Sequence, residues 1–429
     1  MGSDEFPHIK SKKIFPIPVS GGYLVYAPLA NSCFGAGRDD LARLESILEA
    51  GGGQHPGFDD ILALVDESEN FSFGEMSPFK LTGMSILPTW NCNFNCTYCY
   101  AAKAHRKKDI PLPLAYRAMD FFFFSSMGSG EVALQVLGGG EPFTRWELVR
   151  NIAAYARECE KKYNRPLTLS VATNGSVLDD GMIDDIVRLD MRLSFSFEVL
   201  RDVQDLQRGA WSVVHRNLVK LVDAGLSDRI FIRTIITKAN VGRLDQILDA
   251  VKRNYPDVCG VIAEPVMGMD NFDSTDDYAR FCDDFARDFR RVRSIALEEG
   301  INFTTMILRN VDFSINYGCE GDFCVTPDGM ISICHRLASP AEGKIMSGDN
   351  YGSVSLSEVM VDTARYKEIL GAGVDSRDGC KDCFAKYNCG GGCIARNISE
   401  TAESKEIYCN LVRTLLKDEL QRRFIDLQK

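Results

Sequence analysis

The sequence predicts an α/β protein whose centre is a parallel sheet covered by helices. Six strand-like segments alternate with helical ones between residues 84 and 299, the pattern of repeated βα units. Unusual polar residues follow successive strand ends, on the rim where parallel βα folds assemble their sites. A glycine-punctuated hairpin pattern precedes this region and a concentration of cysteines follows it. Three parts are therefore expected: an N-terminal hairpin and helix unit over 1–80, the βα region over 81–310 and a cysteine-rich domain over 311–429.

In the first part, apolar runs at 14–19 and 23–26 flank Gly21 and Gly22, which suits a tight turn between two strands. Residues 39–49 place leucines and isoleucine at helical spacing, with Asp39 as the cap and Gly51, Gly52 and Gly53 as the stop. A second short helix is expected over 58–65. A hairpin of this kind offers a strand edge to an extended peptide, so the unit is a candidate peptide-recognition element. In the second part, strands are expected at 84–87, 132–137, 167–172, 192–197, 230–236 and 258–266. Helical spacing covers 112–127, 145–163, 179–188, 212–224, 242–254 and 275–299.

Composition narrows the function classes. The 429 residues are 45% hydrophobic, enough for a large core. The net charge is −11 and no basic run follows a phosphate backbone, so nucleic acid is not an expected partner. No stretch reaches 18 apolar residues and the N-terminus lacks a signal-peptide core, so a cytoplasmic monomer without a membrane span is expected. Fifteen cysteines in a reducing compartment call for metal or redox chemistry before disulfides.

Cys92, Cys96 and Cys99 stand in C-N-F-N-C-T-Y-C after the first strand. Three thiolates on one loop can hold three irons of a [4Fe-4S] cubane and leave the fourth open to a small molecule. A zinc knuckle or a buried cysteine cluster is the competing reading, although the spacing and a total of five histidines suit zinc poorly. Gly138, Gly139, Gly140 and Glu141 follow the second strand, Asn174 the third and Glu198 the fourth, while Ser196 and Glu264 fall near strand ends. Glycines there let a ligand approach the backbone; an ordinary strand-to-helix turn is the plainer alternative. Tyr98, between two of the cysteines, has its ring beside any cluster they hold, or simply packs.

A second array contains Cys319, Cys324, Cys334, Cys380, Cys383, Cys389, Cys393 and Cys409. Eight thiols suffice to ligate two [4Fe-4S] clusters fully, and a pair of structural zinc sites is the rival. Cys33, Cys159, Cys259 and Cys282 read as small buried hydrophobes.

The cysteine loop together with Gly138–Glu141 resembles the radical S-adenosylmethionine (SAM) enzymes. The later array, C-x9-G-x4-C followed by C-x2-C-x5-C-x3-C and Cys409, resembles their SPASM domain, a twin auxiliary-cluster extension. The resemblance implies a partial (β/α)6 TIM-like barrel, three [4Fe-4S] clusters and SAM as cofactor. It further implies that Tyr98 flanks the adenine, that the Gly138, Gly139, Gly140 and Glu141 segment meets the methionine amino group, and that Asn174, Ser196 and Arg208 contact carboxylate and ribose. Many relatives carry an aspartate where this chain has Glu198, which would reach a ribose hydroxyl with a longer arm. The first auxiliary cluster would take Cys319, Cys324, Cys334 and Cys393, and the second Cys380, Cys383, Cys389 and Cys409.

By the same resemblance, the expected activity is maturation of a ribosomally synthesised precursor peptide, leader plus core, by a 5′-deoxyadenosyl radical. Forming an intrapeptide crosslink from the substrate radical is a net oxidation, which auxiliary clusters suit, and a carbon–carbon bond is favoured over a sactipeptide-type thioether. Flavodoxin or ferredoxin would supply electrons. A formylglycine-forming sulfatase maturase is an alternative, but Cys334 is followed by His335 and Arg336 instead of the aspartate base of those enzymes. His335 itself is a candidate proton acceptor. Maturation of an enzyme subunit or of a peptide-derived redox cofactor, and a non-catalytic iron-sulfur electron carrier or scaffold, complete the alternatives.

Overall fold

Alternation along the central strands decides the architecture of the computed structural model, which describes residues 13–50, 55, 57–71, 81–102, 105–126, 130–311, 318–319, 321–338, 350–371 and 373–427. The N-terminal unit contains β1 (Phe15–Val19), β2 (Gly22–Ala27), β3 (Ser32–Ala36), α1 (Arg38–Glu49) and α2 (Asp59–Asn70). Gly21 turns the β1–β2 hairpin at φ 88°. The third strand was not expected; it is short, and Asn31 at φ 46° starts the turn into it. Helix α1 is capped by Gly37, whose N–H donates to Asp40 Oδ2 at 3.1 Å, and not by Asp39. Its expected glycine stop lies outside the described residues. Val25, Leu41, Leu44, Ile47, Leu62 and Val65 form a small core of their own, while Ile17, Leu24 and Tyr26 pack into the main one.

The βα region runs β4 (Gly83–Ile86), α3 (Leu112–Ser125), β5 (Val132–Val136), α4 (Trp146–Tyr163), β6 (Leu167–Thr173), α5 (Asp180–Arg188) and β7 (Met191–Ser196). It continues through α6 (Arg201–Gln207), α7 (Trp211–Asp223), β8 (Ile230–Ile236), α8 (Leu244–Asn254), β9 (Gly260–Pro265), α9 (Thr275–Glu298) and β10 (Phe303–Thr304). All six expected strands are present, and β10 adds a further parallel strand too short to register in the sequence pattern. Helix α6 was also not expected.

The C-terminal part contains β11 (Phe323–Val325), β12 (Met330–Ser332), β13 (Asn350–Val354), β14 (Val359–Val361), α10 (Thr363–Leu370), α11 (Lys386–Cys389), α12 (Ile394–Ser399) and α13 (Ala402–Leu427). One sheet of eleven strands runs β10-β9-β8-β7-β6-β5-β4-β11-β12-β13-β14. β11 pairs parallel to β4, with Cys324 opposite Ser85, so the sheet passes from the βα region into the cysteine-rich region without a break.

One face of the sheet carries Leu134, Val136, Leu169, Val171, Leu193, Phe195, Ile230 and Ile232, all buried in the main core. Fully burying such a side chain stabilises by about 1.5–3 kcal/mol. The alternate positions include Gln135, Ser170, Ser194, Ser196, Arg233 and Glu264, which are half-buried or exposed. Cross-strand register aligns them: Gln135 pairs with Ser170, Ser196 with Arg233 and Ile235 with Glu264. The inward face is therefore mixed: these polar groups stand beside the half-buried Phe231, Ile235 and Ile262. Among the described residues no helix is long and apolar enough to cross a membrane.

Helix α13 is held to α9 by a buried ion pair. Arg293 Nε donates to Glu419 Oε2 at 2.9 Å and its Nη2 to Oε1 at 3.0 Å, with Arg422 also on this carboxylate. Burial opposes ionisation of Glu419, but the arginine hydrogen bonds prevail and hold it down at about 2. A depressed folded value stabilises the protein above the ordinary carboxylate value, and that stabilisation disappears as pH falls towards 2. Glu419→Gln should destabilise by about 3 kcal/mol at pH 7, read as the shift in the urea midpoint. The difference between parent and variant should shrink below pH 4.5.

Candidate active site

Beyond β4 the chain enters the loop of Cys92, Cys96 and Cys99. Its base is fastened by Thr89 Oγ1, which donates to Asp109 at 2.5 Å and accepts from the Asn91 N–H at 3.0 Å. Its far side is tied to α6 by the Thr97 N–H, which donates to the Gln207 carbonyl at 3.0 Å. The three thiols are half-buried and outside any disulfide. They lie close enough to feel one another's charge. Burial pushes Cys92 up to about 11 and raises Cys96 and Cys99, while the Phe94 N–H near Cys92 and the Arg208 cation near Cys96 and Cys99 work the other way. Thiols of this kind surrender their protons to a metal, and the donors that favour the thiolate are in place. Among the described residues no three His, Cys, Asp or Glu side chains are drawn together around a single-ion site. A cubane spreads its ligands further, since each thiolate binds a different iron.

The glycine segment is packed directly onto this loop. A Cβ on Gly140 would lie 2.1 Å from the Asn91 carbonyl oxygen, and one on Gly139 would lie 2.1 Å from the Trp90 ring. Only glycine permits that approach. The Gly140 N–H donates to Thr89 O at 3.0 Å and the Glu141 N–H to Asn91 O at 2.8 Å. The Glu141 carboxylate is buried and accepts from Phe143 N–H at 2.9 Å, Thr173 Oγ1 at 2.7 Å and Asn174 N–H at 2.6 Å. Burial raises its pKa and these donors lower it, with the net shift upward. Asn174 Nδ2 in turn donates to Asn93 Oδ1 at 3.0 Å, inside the cysteine loop.

Tyr98, Glu198 and Arg208 bind one another. Arg208 Nε donates to Tyr98 Oη at 2.7 Å and pairs with Glu198 Oε1 at 2.9 Å, and the Tyr98 hydroxyl donates to the same oxygen. Glu198 Oε2 accepts from Thr234 Oγ1 at 3.0 Å and the Ile235 N–H at 2.8 Å. The carboxylate is fully buried. The next residue, Val199, sits at φ 65°, a conformation that a β-branched residue adopts only under strain. Ser196 faces the polar side of the sheet, one strand from Arg233.

In the C-terminal part, Cys334 feels Cys319, Cys324 and Cys393, whereas Cys389 feels Cys380, Cys383 and Cys409. Cys334 thus has three of the eight thiols for neighbours and Cys389 has another three. Burial pushes Cys334 up to about 11 and Cys389 to about 12. The turn between β11 and β12 reaches back to the first loop. Trp90 Nε1 donates to Asp328 Oδ2 at 2.9 Å, and Arg106 and Lys108 both pair with the same carboxylate.

Several of these residues escaped sequence reasoning. Tyr100 donates to the Gly138 carbonyl at 3.0 Å, meets His335 edge-on at 5.8 Å and carries the Arg336 guanidinium at 5.7 Å. Its position directly after Cys99 was the available signal. Burial first, then the charges of Arg336 and Arg233, push His335 down to about 4. Arg233 was detectable only as a cation at an inward position of an otherwise apolar strand. Trp90 and Asp328 carried no signal, being 238 residues apart.

Residues 86–251 match the family model of the Radical SAM superfamily. An uncharacterized protein of Methanocaldococcus jannaschii, MJ0907, is 28% identical over 121 residues, which covers 28% of this chain and 39% of that protein. Among solved structures, anSMEcpe with bound AdoMet superposes with a TM-score of 0.62 at 16% identity, over 80% of this chain and 98% of that one. SuiB from Streptococcus suis, bound to its precursor peptide SuiA, gives 0.55 at 13% identity, over 92% and 97%. At these identities the likeness is one of fold.

Gly139→Ala should destabilise by about 1–3 kcal/mol through overpacking against Trp90. Gly130→Ala, where nothing lies within 4 Å, serves as the control and should change little. Thermal unfolding with tryptophan fluorescence reads both.

Proposed function

We propose that this chain, whose residues 86–251 match the Radical SAM family model, is a SAM-dependent enzyme that matures a ribosomally made precursor peptide by oxidative crosslinking, with a carbon–carbon bond as product. The observation that carries the proposal is that Cys334 and Cys389 each neighbour a different set of three further C-terminal thiols. Cys92, Cys96 and Cys99 would hold one [4Fe-4S] cluster, Cys319, Cys324, Cys334 and Cys393 a second, and Cys380, Cys383, Cys389 and Cys409 a third. When bound, these groups and SAM supply a radical that takes a hydrogen atom from the substrate, and acceptors for the electron lost as the new bond forms.

The protein's own part is to bind and orient. The close-packed glycine segment offers backbone to the SAM amino group, and Asn174 and Ser196 stand on the same rim. Arg208 is held by Glu198 and Tyr98 through Nε, leaving its remaining N–H groups to meet a carboxylate. The polar groups on the inward face, Gln135, Ser170, Ser194 and Ser196 among them, could hydrogen-bond a peptide backbone. Formylglycine formation has less support, because His335 and Arg336 stand where an aspartate would be needed. An external flavodoxin or ferredoxin is the proposed electron donor.

Reconstituted protein incubated anaerobically with SAM and dithionite should release 5′-deoxyadenosine, and a variant with Cys92, Cys96 and Cys99 all changed to alanine should release none. Co-expression with the small open reading frames beside its gene should yield a peptide lighter by two hydrogens per crosslink. A parent that releases no 5′-deoxyadenosine contradicts the proposal, and cleavage with no change in any peptide contradicts the crosslinking step.

A further inference from the structure

Buried guanidiniums in this acidic protein are matched to carboxylates. Arg208 pairs with Glu198 at 2.9 Å, Arg293 with Glu419 at 2.9 Å and Arg396 with Glu400 at 2.8 Å. Two arginines at the mouth of the barrel break the pattern. Arg233, on the inward face of β8, has a buried Nε without a hydrogen-bond partner and forms no ion pair among the described residues. Arg336 lies over the Tyr100 ring at 5.7 Å, and among the described residues its Nη1 meets only the Met267 thioether, at 3.6 Å.

The two cations share one neighbourhood, because both act on His335 and both act on Glu264. Glu264 does not neutralise them. Its Oε1 accepts the Met306 N–H at 2.5 Å, it forms no ion pair with either arginine, and burial pushes its carboxyl towards the neutral form. His335 contributes no negative charge in any state. A partly buried guanidinium with no carboxylate bonded to it lacks the partner that would offset its desolvation, so two of them in one neighbourhood are set to receive an anion. The planar fork of arginine matches a carboxylate in shape as well as charge.

We propose that Arg233 and Arg336 together receive an aspartate or glutamate side chain of the substrate peptide and so select which segment is presented at the barrel mouth. The inference rests on the peptide-substrate reading above. Tyr100 connects the two sites physically: its hydroxyl holds the Gly138 carbonyl while its ring supports Arg336.

The test is selection of a random 12-residue peptide library, displayed on puromycin linkers without free C-terminal carboxylates, against the reconstituted protein with SAM. The parent should enrich Asp or Glu at one position. Arg233→Gln and Arg336→Gln should each weaken that preference about tenfold or more, with SAM affinity by equilibrium dialysis unchanged. Arg233→Lys should retain part of the preference, and Arg233→Glu should favour Lys or Arg at the same position, an outcome a misfolded variant cannot give. An acidic preference that survives both glutamine variants, or selected peptides without one, overturns the assignment. Loss of SAM affinity in the glutamine variants with an unchanged peptide profile also overturns it and assigns the carboxylate to SAM. If the parent selects no peptide at all while still binding SAM, the peptide-substrate reading itself fails.

Discussion

Backbone contact between the Cys92–Cys99 loop and the end of β5 is the constraint on which the rest of the structure depends. Two glycines touch the loop where a single methyl group would collide, Gly140 against the Asn91 carbonyl and Gly139 against Trp90. The indole is held from its other edge by Asp328, on the turn between β11 and β12. Three segments distant in sequence thereby meet at one side chain. Moving any of them shifts the cysteine loop relative to the rim on which a cofactor would rest.

Buried carboxylates extend this constraint around the rim. Glu141 ties the end of β5 to the end of β6 through Thr173 and Asn174, and Glu198 ties the end of β7 to β8 and to Tyr98 in the cysteine loop. Each accepts from several donors, which offsets the cost of burying a carboxyl group. The strained backbone of Val199 beside Glu198 is tolerated because that network fixes it. Glu419 performs the same service for α13, the helix that carries Cys409. Rigid placement of the cysteine-bearing segments is the common result.

Much of this was legible in the sequence, for a physical reason. Strands buried by helices on one face show apolar runs, and β4 to β9 were placed within two residues or so of their observed ends. β10 has only two residues and β3 is short and rich in small ones, so neither gives a periodic signal. Cysteine spacing on a single loop is local and readable, as are glycines at a strand end. Side-chain partnership is not. Nothing near Tyr98 announces Glu198, 100 residues away, and nothing near Asp40 shows that its carboxylate, and not that of Asp39, would accept the N–H of the cap residue Gly37. Arg233 stands at an inward position of β8 that the sequence reading passed over, and only the folded chain reveals that it forms no ion pair among the described residues.

The proposal to be tested first is that these cysteines would hold three clusters, one with an open position and two fully ligated. Iron and labile sulfide, counted per chain after anaerobic reconstitution, address it most directly, in the parent and in the variant with Cys92, Cys96 and Cys99 changed to alanine. The account predicts about 12 irons in the parent and about 8 in the variant. About 4 irons in the parent and none in the variant would contradict it, for the C-terminal thiols would then hold no clusters.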